Sequence, residues 1–122
     1  MEAKPYSGRV LIIEDDPEIT EYVNVALESE GYAVRAVTSR DLATKAIVVD
    51  CYDHILMDLN MPGMEAQEFI QHVRRLSPWS KIYLMTAGQG IAARADKLGL
   101  NHFIGKPFDP ETLLRALRSS ER

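Results

Sequence analysis

The chain has 122 residues, of which 46% are apolar and 26% charged, a size and balance that fit one folded domain and exclude a disordered chain. A formal net charge of -4 and a pI near 5.3 argue against a nucleic-acid-binding surface, which needs clustered Lys and Arg. One cysteine, Cys51, excludes an internal disulfide and a zinc cluster, and its expected role is a small buried apolar residue.

Residues 1–8 lack the apolar core of a signal peptide and read as a flexible polar leader. Val10 to Ile13 is a continuous apolar run, the signature of a strand buried on both faces, and it ends in acid. Asp16 then caps a helix with Pro17 in its first turn, Ile19, Val23, Ala26 and Leu27 form its stripe, and Gly31 stops it. A second strand is predicted at Ala33 to Val37, followed by a helix with Leu42, Ala43, Ala46 and Ile47 inward. His54 to Met57 reads as a third strand, and Asp58 follows it. Pro62 and Gly63 make a loop, and a helix from about Glu65 to Leu76 buries Phe69, Ile70 and Val73. Ile82 to Met85 is the fourth strand and ends at Thr86. Gly88, Gln89 and Gly90 precede a short helix near Ala92 to Leu98, capped by Gly99. The fifth strand, Phe103 to Gly105, runs into Lys106 and Pro107, and the last helix opens with Asp109 and Pro110. The expected partition is therefore the leader at 1–8, one domain at 9–119, and a tail or linker start at 120–122.

Strands alternating with helices predict a parallel sheet covered on both faces, and such sheets bind ligands beyond the carboxyl ends of their strands. Polar residues fall at those ends: Glu14 and Asp15 after the first strand, Asp58 after the third, Thr86 on the fourth and Lys106 on the fifth. Taken singly, each has an ordinary reading as a turn residue, helix cap, strand residue or surface lysine. Together they predict one pocket. Three carboxylates within a few ångströms repel by about 4 kcal/mol per pair at ~4 Å and an effective dielectric of about 20, so the group calls for a cation. Oxygen donors in this number suit Mg²⁺ or Mn²⁺ and are too few for a calcium cage. His54, His72 and His102 lie at non-matching positions, which speaks against zinc. With a metal beside it, Asp58 is a candidate nucleophile toward phosphorus, while Lys106 and the Thr86 hydroxyl would hold phosphoryl oxygens.

At these residues the sequence resembles the response-regulator receiver family of two-component signal transduction, the chemotaxis regulators among them. The matching stretches are VLIIEDDPEI from Val10 to Ile19, ILMDLNMPGM from Ile55 to Met64, LMTA from Leu84 to Ala87, and KPF from Lys106 to Phe108, within a resemblance running from Val10 to about Arg118. The resemblance implies a flavodoxin-like, doubly wound α/β fold with five parallel strands in the order 2-1-3-4-5 and five helices. It implies that Asp58 is the phosphoacceptor, Asp15 a direct metal ligand, Glu14 a metal-site acid acting through water, and Asn60 a ligand through its backbone carbonyl, with Asp16 outside the metal site. Thr86 and Lys106 would contact the phosphoryl group, and Phe103 matches the aromatic switch position, although plain core packing explains it equally well.

The implied activity is that of a signalling switch that catalyses only its own phosphorylation and dephosphorylation. The implied phosphodonor is a sensor histidine kinase or histidine phosphotransfer protein, and Mg²⁺ or Mn²⁺ is the implied cofactor. Output would run through the face of the fourth helix, fifth strand and fifth helix to an effector domain or protein. The chain would be cytoplasmic, without direct contact to nucleic acid or membrane, and a monomer or phosphorylation-linked dimer. Two departures stand out: Glu65-Ala66 replaces a frequent Asp-Gly, and the segment between Thr86 and Lys106 is short, which predicts a truncated or shifted fourth helix. Gly88 lacks a side chain to shield an acyl phosphate, which predicts an unexceptional or short phosphoryl lifetime. The competing classes are a receiver-like interaction module that is never phosphorylated and a haloacid-dehalogenase-like phosphatase. The latter expects an acid two positions after its nucleophile, where this chain has Asn60.

Overall fold

In the computed structural model, which describes residues 8–61 and 63–121, the alternating pattern becomes β1 (Gly8–Ile13), α1 (Pro17–Glu28), β2 (Tyr32–Val37), α2 (Arg40–Val49), β3 (His54–Asp58), α3 (Ala66–Leu76), β4 (Lys81–Ala87), α4 (Ile91–Lys97), β5 (His102–Lys106) and α5 (Pro110–Ser120). Residues 1–7 of the expected leader, Pro62 of the expected loop and Arg122 of the expected tail lie outside the described residues. All strand pairs are parallel and the order is β2-β1-β3-β4-β5, the doubly wound order anticipated above.

Period-two alternation along the strands divides the core between the two faces of the sheet. Leu11, Ile13, Ile55, Met57, Ile82 and Leu84 pack against α2, α3 and α4 through Ala43, Ile47, Phe69, Val73 and Ala95. Val10, Ile12, Leu56, Tyr83, Met85 and Ile104 pack against α1 and α5 through Val23, Leu27, Leu113 and Leu117. Three of the five helices, α1, α2 and α5, begin at a side-chain cap: Asp16 accepts the Glu18 amide at 2.9 Å, Ser39 the Leu42 amide at 3.1 Å, and Asp109 the Thr112 amide at 2.7 Å.

Two expectations are corrected. Cys51 is exposed rather than buried, because it follows the α2 C-cap Asp50 and the neighbouring Tyr52 fills the interior at 1% exposure. Leu42 is 45% exposed, and the inward residue of that first turn is Arg40. A helix started by the Ser39 cap turns 40, 43 and 47 to the sheet, an i, i+3, i+7 stripe that leaves 42 at its margin. The fourth helix is short, seven residues, as its segment length implied.

A polar network sits at the opposite end of the sheet from the strand-tip acids. His54, 1% exposed, places Nδ1 2.9 Å from Tyr83 Oη and Nε2 2.7 Å from Glu121 Oε2, and the Tyr32 hydroxyl donates to the same Glu121 oxygen at 2.9 Å. Tyr83 also meets the Ser120 hydroxyl. Burial pushes both phenols up to about 12, so they remain donors. Burial also lowers the His54 pKa from its ordinary 6.5, with Glu121 opposing. The unfolded chain therefore binds the proton first as pH falls, and the stability present above the ordinary histidine value is lost as pH falls through the folded one. His102 shifts the same way through burial and the nearby Lys81 and His54. Urea unfolding between about pH 7 and pH 5 is expected to show a shallower acid decline in His54→Gln than in the wild type. Parallel declines would contradict this.

Candidate functional site

The site forms because β1, β3, β4 and β5 end at one edge of the sheet. Glu14 continues the β1–β2 pairing through its amide, which donates to the Val37 carbonyl at 3.0 Å, and this aims its side chain into the space between strand tips. Glu14 is 2% exposed, Asp58 4% and Thr86 0%, whereas Asp15 is exposed. Oxygens of Glu14, Asp15 and Asp58 all lie within 4.8 Å of one another. Lys106 reaches in from β5 with Nζ 2.6 Å from Glu14 Oε1 and 3.3 Å from Asp58 Oδ2. The Asn60 amide donates to Asp58 Oδ1 at 3.2 Å, and the Asp16 amide to Glu14 Oε2 at 3.2 Å.

Of the residues proposed from sequence, Glu14, Asp15, Asp58, Lys106 and the Asn60 backbone thus meet, with Asp16 turned to its capping role on α1. Burial raises the Glu14 carboxyl above the usual glutamate range, Asp58 adding to the rise while the Lys106 and Asp16 hydrogen bonds oppose it. Burial works against the Lys106 charge, but the Glu14 hydrogen bond and the field of Asp58 outweigh it and hold the ammonium above the usual lysine range. One cation therefore sits between two buried acids, with a third acid at the mouth. A hard divalent ion fits this donor set: two or three carboxylate oxygens, water access through exposed Asp15, and a nearby loop backbone.

Thr86 carries the other observation. Its Oγ1 is buried without a hydrogen-bond partner among the described residues, which costs about 1–3 kcal/mol. Thr86→Val, which keeps the shape and removes the orphaned hydroxyl, is expected to raise the urea unfolding free energy by about 1 kcal/mol. A loss of similar size would show that the hydroxyl is satisfied. Phe103 is 43% exposed, so the core-packing explanation does not describe this structure. The loop after β4 is fastened by Arg94, whose Nη2 donates to the carbonyls of Ala87 at 2.9 Å and Gln89 at 3.0 Å and lies over Gly88. Beside the site, Glu18, Ile19, Tyr22, Ala87, Lys106 and Phe108 line an open groove of about 480 Å³.

The residue that sequence reasoning missed is Arg40. Its guanidinium, in a side chain 2% exposed, spans the β3–α3 loop and donates to the carbonyls of Asp58 at 3.0 Å, Leu59 at 2.9 Å and Met64 at 2.9 Å, reaching Met61 at 3.5 Å. Its phase in the α2 stripe was the available signal.

A family model described as the response regulator receiver domain matches residues 10–118. Among curated proteins, the transcriptional regulatory protein TcrA of Mycobacterium tuberculosis is 30% identical over 93% of this chain and 46% of its own length. The transcriptional regulatory protein TctD of Salmonella typhimurium is 32% identical over 91% of this chain and 50% of its own. The chain thus spans about half the length of these relatives. Among solved structures, the chemotaxis response regulator CheY4 of Vibrio cholerae superposes with a TM-score of 0.82 at 29% identity, covering 91% of this chain and 96% of that one. The receiver domain of a Pseudomonas aeruginosa sensor histidine kinase, solved with a magnesium ion coordinated in its active-site cleft, gives 0.81 at 28% identity, covering 92% and 95%.

Proposed function

The chain belongs to the response regulator receiver domain family, and from that premise we propose that Asp58 is its phosphoacceptor and that the surrounding strand-tip residues hold and sense the phosphoryl group. The observation that carries the reading is the meeting of one ammonium, Lys106, with buried Glu14 and Asp58 beside the exposed Asp15. Asp15, Asp58 and the Asn60 carbonyl would hold Mg²⁺ or Mn²⁺ directly, and Glu14 through water. Such an ion, when bound, supplies charge neutralisation and a bridging point for a phosphoryl oxygen.

The reaction needs no general base. An Asp58 carboxylate oxygen forms the new bond to phosphorus as the phosphorus–nitrogen bond of a phosphohistidine breaks, and the departing imidazole nitrogen keeps the electron pair and takes up a proton. Lys106 neutralises one phosphoryl oxygen and the Thr86 hydroxyl donates to another, which gives its orphaned Oγ1 a partner. Phosphorylation brings roughly two negative charges. Drawing Thr86 toward them frees space behind it for Phe103, now 43% exposed, and so biases the α4–β5–α5 face toward a second arrangement.

The partners that follow are a sensor histidine kinase or histidine phosphotransfer protein upstream and an effector domain or protein downstream, in the cytoplasm, with the chain a monomer or a phosphorylation-linked dimer. No helix among the described residues is long and apolar enough to cross a membrane. The test is transfer of labelled phosphate from a panel of purified phosphohistidine donors, with Mg²⁺ and with a chelator. Transfer that the chelator abolishes supports the reading. A chain that accepts label from no donor, acetyl phosphate included, would instead be an unphosphorylated interaction module.

A further inference from the structure

Arg40 occupies a place that sequence patterning reserves for an apolar residue, and a buried guanidinium is expensive unless its donors are used. Burial lowers its pKa below the ordinary guanidinium range, and the fields of Asp58 and Glu65 oppose that. Its two terminal nitrogens are committed to backbone carbonyls of the loop that follows the phosphoacceptor strand, while Nε has no partner among the described residues. The acceptors are Asp58, Leu59 and Met64, with Met61 at the edge of bonding distance. They flank Asn60 on both sides and pass over it. The Asn60 amide meanwhile points to Asp58 Oδ1 at 3.2 Å. The peptide unit before Asn60 is thus held through its Leu59 carbonyl by Arg40 and through its Asn60 amide by the Asp58 carboxylate, and beyond Asn60 the Met61 and Met64 carbonyls return to the same guanidinium.

We propose that Arg40 is a positioning residue for the metal site, a clamp that fixes the β3–α3 loop so that the Asn60 carbonyl, left out of the clamp, is pre-set for a small divalent cation. This rests on the reading of Asp58 and Asn60 given above and adds a residue outside that set. The clamp has a selective consequence. Mg²⁺ demands near-ideal octahedral placement of its ligands, whereas Ca²⁺ accepts variable geometry and longer bonds, so a loosened carbonyl penalises Mg²⁺ more. Arg40 also contributes a fixed positive charge that repels any divalent ion. That repulsion is common to Mg²⁺ and Ca²⁺ and cancels in the ratio of their affinities, which leaves the geometry as the quantity read.

The test compares wild type, Arg40→Lys, Arg40→Met and Asp58→Asn by titration with Mg²⁺ and with Ca²⁺, followed through the amide signals of residues 58–60, together with hydrogen exchange in the metal-free proteins. Lysine keeps the charge but cannot span the carbonyls with a planar fork. Both Arg40 variants are expected to bind Mg²⁺ about 10-fold more weakly, the size usual for lost support of a metal ligand. Both are also expected to lose much of the preference for Mg²⁺ over Ca²⁺ and to exchange the Asn60 amide faster. A general loss of folded protein would weaken both ions equally and leave the ratio unchanged. An unchanged ratio in folded Arg40→Lys overturns the clamp, whether or not Arg40→Met folds. If wild type and Asp58→Asn bind Mg²⁺ alike, Asp58 is not a ligand, and the metal-site reading on which the clamp rests fails.

Discussion

Asp58→Asn is expected to take up no phosphoryl group from acetyl phosphate or from a phosphohistidine donor, under conditions in which the wild type gains one by mass spectrometry. The amide has the carboxylate's shape but not its charge, and a neutral amide oxygen is a poor nucleophile toward phosphorus. The fold is expected to persist. The substituted side chain would still offer an oxygen to the Asn60 amide, which now donates to Asp58 Oδ1 at 3.2 Å, and the strand pairing from His54 to Asp58 is made by backbone. A normal circular-dichroism spectrum with no incorporation is the expected pair of results. Incorporation equal to wild type would place the nucleophile elsewhere.

Lys106→Met is expected to have two large effects with one cause. Phosphoryl incorporation falls by about 100-fold or more, the scale seen when one preorganised donor to a developing anion is removed. Stability also falls, by about 3 kcal/mol near neutral pH, because Glu14, with a side chain 1% exposed, loses its 2.6 Å partner. The pH dependence separates this from a packing defect. The Glu14 carboxyl is already held above the usual range, and loss of the ammonium raises it further. A raised carboxyl contributes stability below its unfolded value and loses it as pH rises through the folded one, so the deficit grows with pH and shrinks in mild acid. Lys106→Met combined with Glu14→Gln is expected to recover most of the loss. Urea unfolding in chelator at two pH values measures both, and a deficit independent of pH and of Glu14 would point to packing instead.

The strand-tip residues were legible in sequence because each sits at a fixed place in a simple pattern. A continuous apolar run such as Val10 to Ile13 is buried on both faces, and whatever follows it must emerge at the sheet edge. Parallel strands bring those edges together, so Glu14, Asp15, Asp58 and Lys106 share a pocket once the topology is right, with Thr86 buried at the same end of β4. Arg40 was hidden for a different reason: its phase with Ala43 and Ile47 points inward, but periodicity treats a charged residue as a break in the stripe, and the loop carbonyls that satisfy it are invisible in sequence. Leu42 was misplaced by the same blindness to what α2 faces. His54 and Tyr83 form their network because Ser120, the last residue of α5, and Glu121, its C-cap, lie against the N-terminal ends of β3 and β4, a contact set by helix length rather than by any local motif.

Borohydride reduction of the phosphorylated protein, followed by peptide sequencing, tests the central claim most directly, because hydride converts an aspartyl phosphate to homoserine and marks the residue that carried it. The account predicts homoserine at position 58 alone, dependent on divalent cation. Homoserine at another acid, or none in a protein that has gained a phosphoryl group, would contradict it.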